Sequence, residues 1–123
     1  MSDELSKLPP NVQERLLRLQ QLQQTLQTVL AQKQQVDMEK SEVEQTIAEL
    51  QKTADDAVLY KAIGSLLVKA EKPKVTEDLV ERKELLETRT TVLARQEERI
   101  RSQIKESQTK LQEDLNPVQP PTS

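Results

Sequence analysis

Aromatic and conformationally permissive residues are almost missing from this chain of 123 residues. It has one tyrosine, Tyr60, one glycine, Gly64, and no tryptophan, phenylalanine, cysteine or histidine. Each absence excludes something. Aromatic rings supply much of the area buried in a globular core, so a thick layered domain cannot be built. Without Cys or His there is no disulfide, no structural zinc site and no Cys–His or Ser–His nucleophile. One glycine cannot make a P-loop or a dinucleotide fingerprint. Carboxylates alone could hold a hard cation, but a long helix does not fold ligands around one. The reading is therefore a protein that is not an enzyme and carries no cofactor. No apolar run approaches the ~20 residues of a membrane span. The segment MSDELSKLPP is too acidic and too poor in apolar residues for a signal peptide. A cytoplasmic chain with no membrane partner is expected.

No one sign of charge dominates either. The 18 basic and 21 acidic residues leave a net charge of -3. Residues 1–54 hold eight acids and six bases, 55–75 three and four, and 76–123 ten and eight. Nucleic-acid binding needs a basic patch, and no stretch here supplies one. The mixed charges read as a solvated surface.

What the chain does have is Gln, Glu, Lys, Leu and Arg, residues that favour long helices. Pro9 and Pro10 precede a stretch without Gly or Pro that predicts a first helix over about 11–54. Asn11 could cap it with Glu14 three residues on, or Pro10 could be its first residue. Counting heptads from Val12, the a positions are Val12, Leu19, Leu26, Lys33, Lys40, Ile47 and Ala54. The d positions are Arg15, Leu22, Val29, Val36, Val43 and Leu50. Ten of these thirteen are apolar, against 34% in the whole chain, which places one narrow apolar seam on the helix. The frame extends back to Leu5 and Leu8. Lys33 and Lys40 either fix the register or run their stems along the seam. Gln21, Gln23, Gln24 and Gln27 read as neutral helix surface.

A second helix is expected over about 76–115, with Glu77, Asp78 and Glu81 suiting its N-terminus. Leu79, Leu86, Leu93 and Ile100 recur every seven residues, with Lys83, Thr90, Glu97, Ile104 and Leu111 half a heptad away. Two such helices would be ~66 and ~60 Å long at 1.5 Å per residue. Helices of this composition need a packing partner. The economical arrangement is an antiparallel two-helix coiled coil, its register free by half a heptad. Residues 116–123, with Pro117, Pro120 and Pro121, are expected to be a disordered tail.

Between the helices, residues 57–70 read AVLYKAIGSLLVKA. This β-favouring run around the glycine predicts a β-hairpin within a connection of about 55–75. A two-residue Gly64-Ser65 loop would be a type II′ turn. A three-residue Ile63-Gly64-Ser65 loop would instead gather Val58, Tyr60, Ala62, Leu66, Val68 and Ala70 on one face, and that segregation is the reason to prefer it. A lone ribbon is marginal in water and its edges invite pairing. Association of hairpins from several chains follows, rather than an irregular apolar loop.

The run Asp55-Asp56-Ala57 followed by Val58 to Lys69, with its core Tyr60-Lys61-x-x-Gly64-x-x-Leu67-Val68-Lys69, resembles the prefoldin beta family, including its eukaryotic subunit-6 type. Asn11-Val12-Gln13 with the Gln-rich Leu19–Gln27 stretch is similar to the family's first helix, and Arg95-Gln96-Glu97-Glu98-Arg99 to its second. The similarity covers roughly residues 5–115. The resemblance implies a single prefoldin-like unit, mainly α, whose hairpin joins those of other subunits in a β-barrel platform. It implies an ATP-independent holdase without cofactors, assembled from alpha-type and other beta subunits, two alpha with four beta, or, for the subunit-6 type, as a hetero-hexamer of six different chains. Its other partners would be unfolded client proteins and a group II chaperonin. Assembly would fall to Val58, Tyr60, Ala62, Ile63, Gly64, Leu66, Val68 and Ala70. Client contact would fall to tips built from Leu5, Leu8, Val12, Leu16, Leu19, Leu111, Leu115 and Val118. The competing reading is a coiled-coil scaffold or tether that oligomerises through its hairpin and binds no client.

Overall fold

A computed structural model describes residues 6–116. The elements run helix, strand, strand, helix: α1 is Pro10–Gln51, β1 Leu59–Ile63, β2 Leu66–Ala70 and α2 Lys72–Leu115. The molecule is mainly helical, with one two-stranded antiparallel ribbon between two long helices.

The helix ends follow from the chemistry of the first and last turns. The Pro9 carbonyl accepts from the N–H groups of Val12 and Gln13, so Pro10 is the first helical residue and the alternative cap at Asn11 is not used. Pro is tolerated there because a first-turn N–H has no intrahelical partner. The Gln13 amide folds back to donate to the Leu8 carbonyl at 2.7 Å. At its other end α1 stops at Gln51, three residues before the expected Ala54. The N–H groups of Lys52 and Thr53 tighten onto the carbonyls of Glu49 and Leu50, and a turn over Asp55 and Asp56 follows, closed by Ala57 N–H on Ala54 C=O. That pair of acids opposes the negative pole of the helix and favours the turn. The second helix begins four residues before the expected Thr76. Glu71 supplies its first carbonyl, to Val75 N–H, and Pro73 lies inside the first turn where its missing N–H costs nothing. Glu77, Asp78 and Glu81 therefore sit in the second and third turns.

The chain divides into two compact units: residues up to Gln32 with those from Leu93 onward, and Lys33 to Val92. In the second unit, Arg82 donates to Glu39 at 2.8 Å, while Lys72 donates to the Thr53 carbonyl at 2.7 Å. Rising numbers on α1 meet falling numbers on α2, so the helix segments run antiparallel. Val36, Leu50 and Leu86 are buried between them, Leu86 completely at 0% exposure. In the terminal unit Arg15 pairs with Asp114, and Leu22 shares a recess with Gln103 and Glu106. The same antiparallel sense holds there, with Val12, Leu22, Val29, Leu93 and Ile100 buried. Every one of these buried residues is on a predicted seam. Lys33, Lys40, Lys83, Thr90 and Glu97 are half-buried at seam positions, because helix geometry places them there whatever their polarity.

The ribbon corrects the preferred hairpin register. Ile63 pairs with Leu66, Ala62 with Leu67, Lys61 with Val68, Tyr60 with Lys69 and Leu59 with Ala70. The loop is therefore the two residues Gly64 and Ser65. Gly64 has φ +59° and, among the described residues, no other has a positive φ, which is the type II′ pattern. This turn matches the twist of the strands and leaves the β-branched Ile63 in the ladder. β1 begins at Leu59, so Val58 precedes the strand.

Candidate functional site

Two regions carry the candidate residues, one in each unit. The first is the ribbon. With side chains alternating along each strand, Leu59, Lys61, Ile63, Leu66, Val68 and Ala70 share one face. Tyr60, Ala62, Leu67 and Lys69 share the other, and Val58 precedes β1 on the side of Tyr60. The six residues expected together on one face are thus divided between two. Both faces are mainly apolar and each carries one lysine. The faces differ in cover. On the first face the cover is confined to the base of the ribbon: Leu59 and Ala70 are half-buried and Val68 is 45% exposed, while Ile63 at 54% and Leu66 at 67% are as open as Tyr60 at 63% and Leu67 at 72% on the other. Lys61, on the better covered face, reaches Asp78 on α2 at 3.8 Å. The Tyr60–Leu67 face is bare.

Local ion pairs hold the base of the ribbon. Lys72 donates to the Thr53 carbonyl, two residues past the end of α1, and to Asp55 Oδ1 at 3.0 Å, which ties the chain entering the ribbon to the chain leaving it. Lys74 pairs with Asp78 at 3.2 Å, and that hydrogen bond and charge, with Glu77 and Glu81, raise its pKa above the ordinary 10.5. Three of the four lysines near the ribbon, Lys61, Lys72 and Lys74, are thereby taken up in local contacts.

The second region is the end of the terminal unit. Val12 is 1% exposed, Leu8, Leu16, Leu19 and Leu111 are half-buried, and Leu115 is exposed. Leu5 and Val118 lie outside the described residues, as does residue 117 onward of the expected tail. The helix ends are thus packed as a continuation of the seam. Beside them an open groove of about 460 Å³ on α1 is lined by Gln13, Leu16, Leu17, Leu19, Gln20 and Gln23. Gln21, Gln23, Gln24 and Gln27 are all exposed.

Sequence reasoning missed Leu67, Leu17 and the Lys72 clamp. The Gly-Ser pair was a signal for the two-residue loop, and with it for an outward Leu67. Leu17 lies off the seam, where a single leucine carries no pattern, and Lys72 was read as a connection residue. Among the described residues no group of His, Cys, Asp or Glu is arranged to hold a metal ion, and no helix is long and apolar enough to cross a membrane.

The chain is similar to known proteins over nearly its whole length. The family model described as Prefoldin subunit matches residues 13–117. The prefoldin subunit beta of Archaeoglobus fulgidus is 46% identical over 113 residues, covering 92% of this chain and 97% of that protein. The prefoldin subunit beta of Pyrococcus furiosus is 42% identical over 113 residues, with 92% and 97% covered. Among solved structures, the prefoldin beta subunit from Thermococcus strain KS-1 superposes with a TM-score of 0.80 at 39% identity, covering 94% of this chain and 98% of that one.

Proposed function

The chain belongs to the prefoldin family, among its beta subunits, and from that premise we propose that it is one subunit of an ATP-independent holdase chaperone. All 123 residues act as one prefoldin-type unit in this reading. The observation that carries it is the ribbon. Six of the twelve large apolar side chains exposed among the described residues fall between Val58 and Val68. A patch this concentrated, on a ribbon with two unpaired edges, calls for other strands. The ribbon joins those of alpha-type and other beta subunits in a shared barrel, two alpha with four beta.

Client binding falls to the ends of the helices in the terminal unit. Apolar segments of non-native proteins are held by many weak contacts to Leu8, Val12, Leu16, Leu19, Leu111 and Leu115, with Leu5 and Val118 beside them in sequence. Several subunits acting together raise the effective concentration, so each end binds weakly and releases readily to a group II chaperonin. The seam packing of Val12 and Leu19 favours the competing reading of a scaffold that binds no client. One experiment separates the two. The chain is assembled with an alpha-type partner, and aggregation of a denatured enzyme is followed without ATP. Removal of residues 1–10 and 112–123 is expected to leave the assembly intact by native mass spectrometry and to abolish most of the delay in aggregation. Undiminished suppression would remove the end residues from client binding. No suppression by the full-length assembly would leave the scaffold.

A further inference from the structure

The end of the terminal unit holds two charges that their own helices oppose. Arg15 is in the second turn of α1, close to the positive pole of that helix. Asp114 is the penultimate residue of α2, close to its negative pole. Asp114 therefore stands at the unfavourable end of its own dipole, and Arg15, a turn further in, meets a weaker form of the same opposition. Arg15 also occupies a d position in a seam that is otherwise leucine and valine from Val12 to Val29. What offsets both conflicts is the opposite charge. Arg15 Nε donates to Asp114 Oδ2 across the two helices, and the side chains are only 35% and 20% exposed. Partial burial shields the pair from the screening that makes most surface ion pairs worth little.

The position of the pair gives it consequence. Val12 is buried one turn before Arg15, and Leu16, Leu19 and Leu111 are half-buried around it. In the function proposed above these are the side chains that a client meets, and parting of the two helix ends would expose them. We propose that the Arg15–Asp114 pair is a latch that sets how readily those ends separate and offer their seam to an apolar segment. The proposal rests on the reading of the helix ends as the client-binding region. Closed, the pair compensates two unfavourable dipole contacts. Open, both charges are hydrated but each remains at the wrong pole, so the terminal turns of both helices lose stability together. Separation of the ends and fraying of the last turns therefore reinforce one another.

Hydrogen exchange measured on the complex assembled with an alpha-type partner tests this without reference to client. Asp114→Asn is expected to speed exchange of the amides in residues 14–22 and 108–115 by roughly 3–10-fold, and to leave residues 79–92 unchanged. The double exchange Arg15→Asp with Asp114→Arg rebuilds the pair with each charge at its favourable pole. It is expected to slow the same amides below the wild-type rate. Favourable poles alone would slow exchange at each end separately, so Arg15→Asp and Asp114→Arg are also measured singly: the latch requires the double exchange to slow the amides by more than the two single effects combined, and simple additivity would overturn it. Unchanged terminal exchange in Asp114→Asn, or a reversed pair as fast as that variant, would overturn the latch. Capture of a denatured enzyme is measured alongside, and is expected to strengthen in Asp114→Asn and weaken in the reversed pair. If exchange shifts as expected while capture does not follow, the helix ends are not the client-binding region, and it is that reading which fails.

Discussion

The seams and the ribbon use similar residues to opposite ends. Leu86 and Val36 are completely buried, each held by the neighbouring helix of its own chain. Leu66 and Leu67 are at least two-thirds exposed, although they are as apolar. The difference lies in what each element can cover by itself. A heptad stripe is narrow, and one antiparallel neighbour covers it. A ribbon apolar on both faces needs partners on either side and has two free edges as well. Stability of the single chain therefore resides in the seams. The ribbon adds little to it and leaves its apolar area exposed.

A charge in the ribbon should break that division most sharply. Tyr60→Asp places a carboxylate on the bare face, where a partner strand would strip it of water at a cost of several kcal/mol. Sedimentation of the assembled complex is expected to show it replaced by smaller species, with helical circular dichroism unchanged. Val68→Asp lies on the partly covered face and is expected to weaken assembly as well, though less. Equal effects of the two would mean that both faces are enclosed alike. An intact complex in both variants would show that the ribbon is not the assembly surface.

The converse change tests the seams. Leu86→Ala removes a side chain with no exposure and leaves a cavity, for a loss of about 2–4 kcal/mol. A fall in the melting temperature of the helical signal is expected, with the subunit composition retained at low temperature. Loss of assembly without any thermal destabilisation would contradict the separation of roles.

How far these two regions can be read in the sequence differs for the same physical reason. A seam is a period, and period survives polar substitution: Lys83, Thr90 and Glu97 were identifiable as seam positions and are half-buried as such. The helix ends were less legible, because Pro73 reads as a breaker until it is known to lie in a first turn. The ribbon was legible as a ribbon but not in its register. One residue of slip moves every side chain to the other face, and face segregation favoured the wrong loop over the turn preference of Gly64-Ser65. The Arg15–Asp114 pair was not legible at all. Its partners are 99 residues apart and meet only in a coiled-coil register that the inserted connection leaves open.

Gly64 offers the smallest and most selective probe of the ribbon. Its φ of +59° is the conformation that a type II′ turn requires at its first central position. A β-carbon added there would meet nothing within 4 Å, so Gly64→Ala introduces no clash. Its cost is the backbone strain of an L-residue at positive φ, about 1–2 kcal/mol. The seams do not sense that strain, so the melting of the helices is expected to remain unchanged. Assembly through the ribbon, as proposed, would sense it, because the ribbon would have to hold this turn to present its strands in register. The concentration at which the complex dissociates is expected to rise by roughly 5–30-fold if the strain falls on one ribbon. It should rise further when several subunits of the complex carry the change. A dissociation midpoint identical to wild type would mean that the assembled ribbon adopts a different turn, with the strands shifted out of the pairing of Ile63 with Leu66.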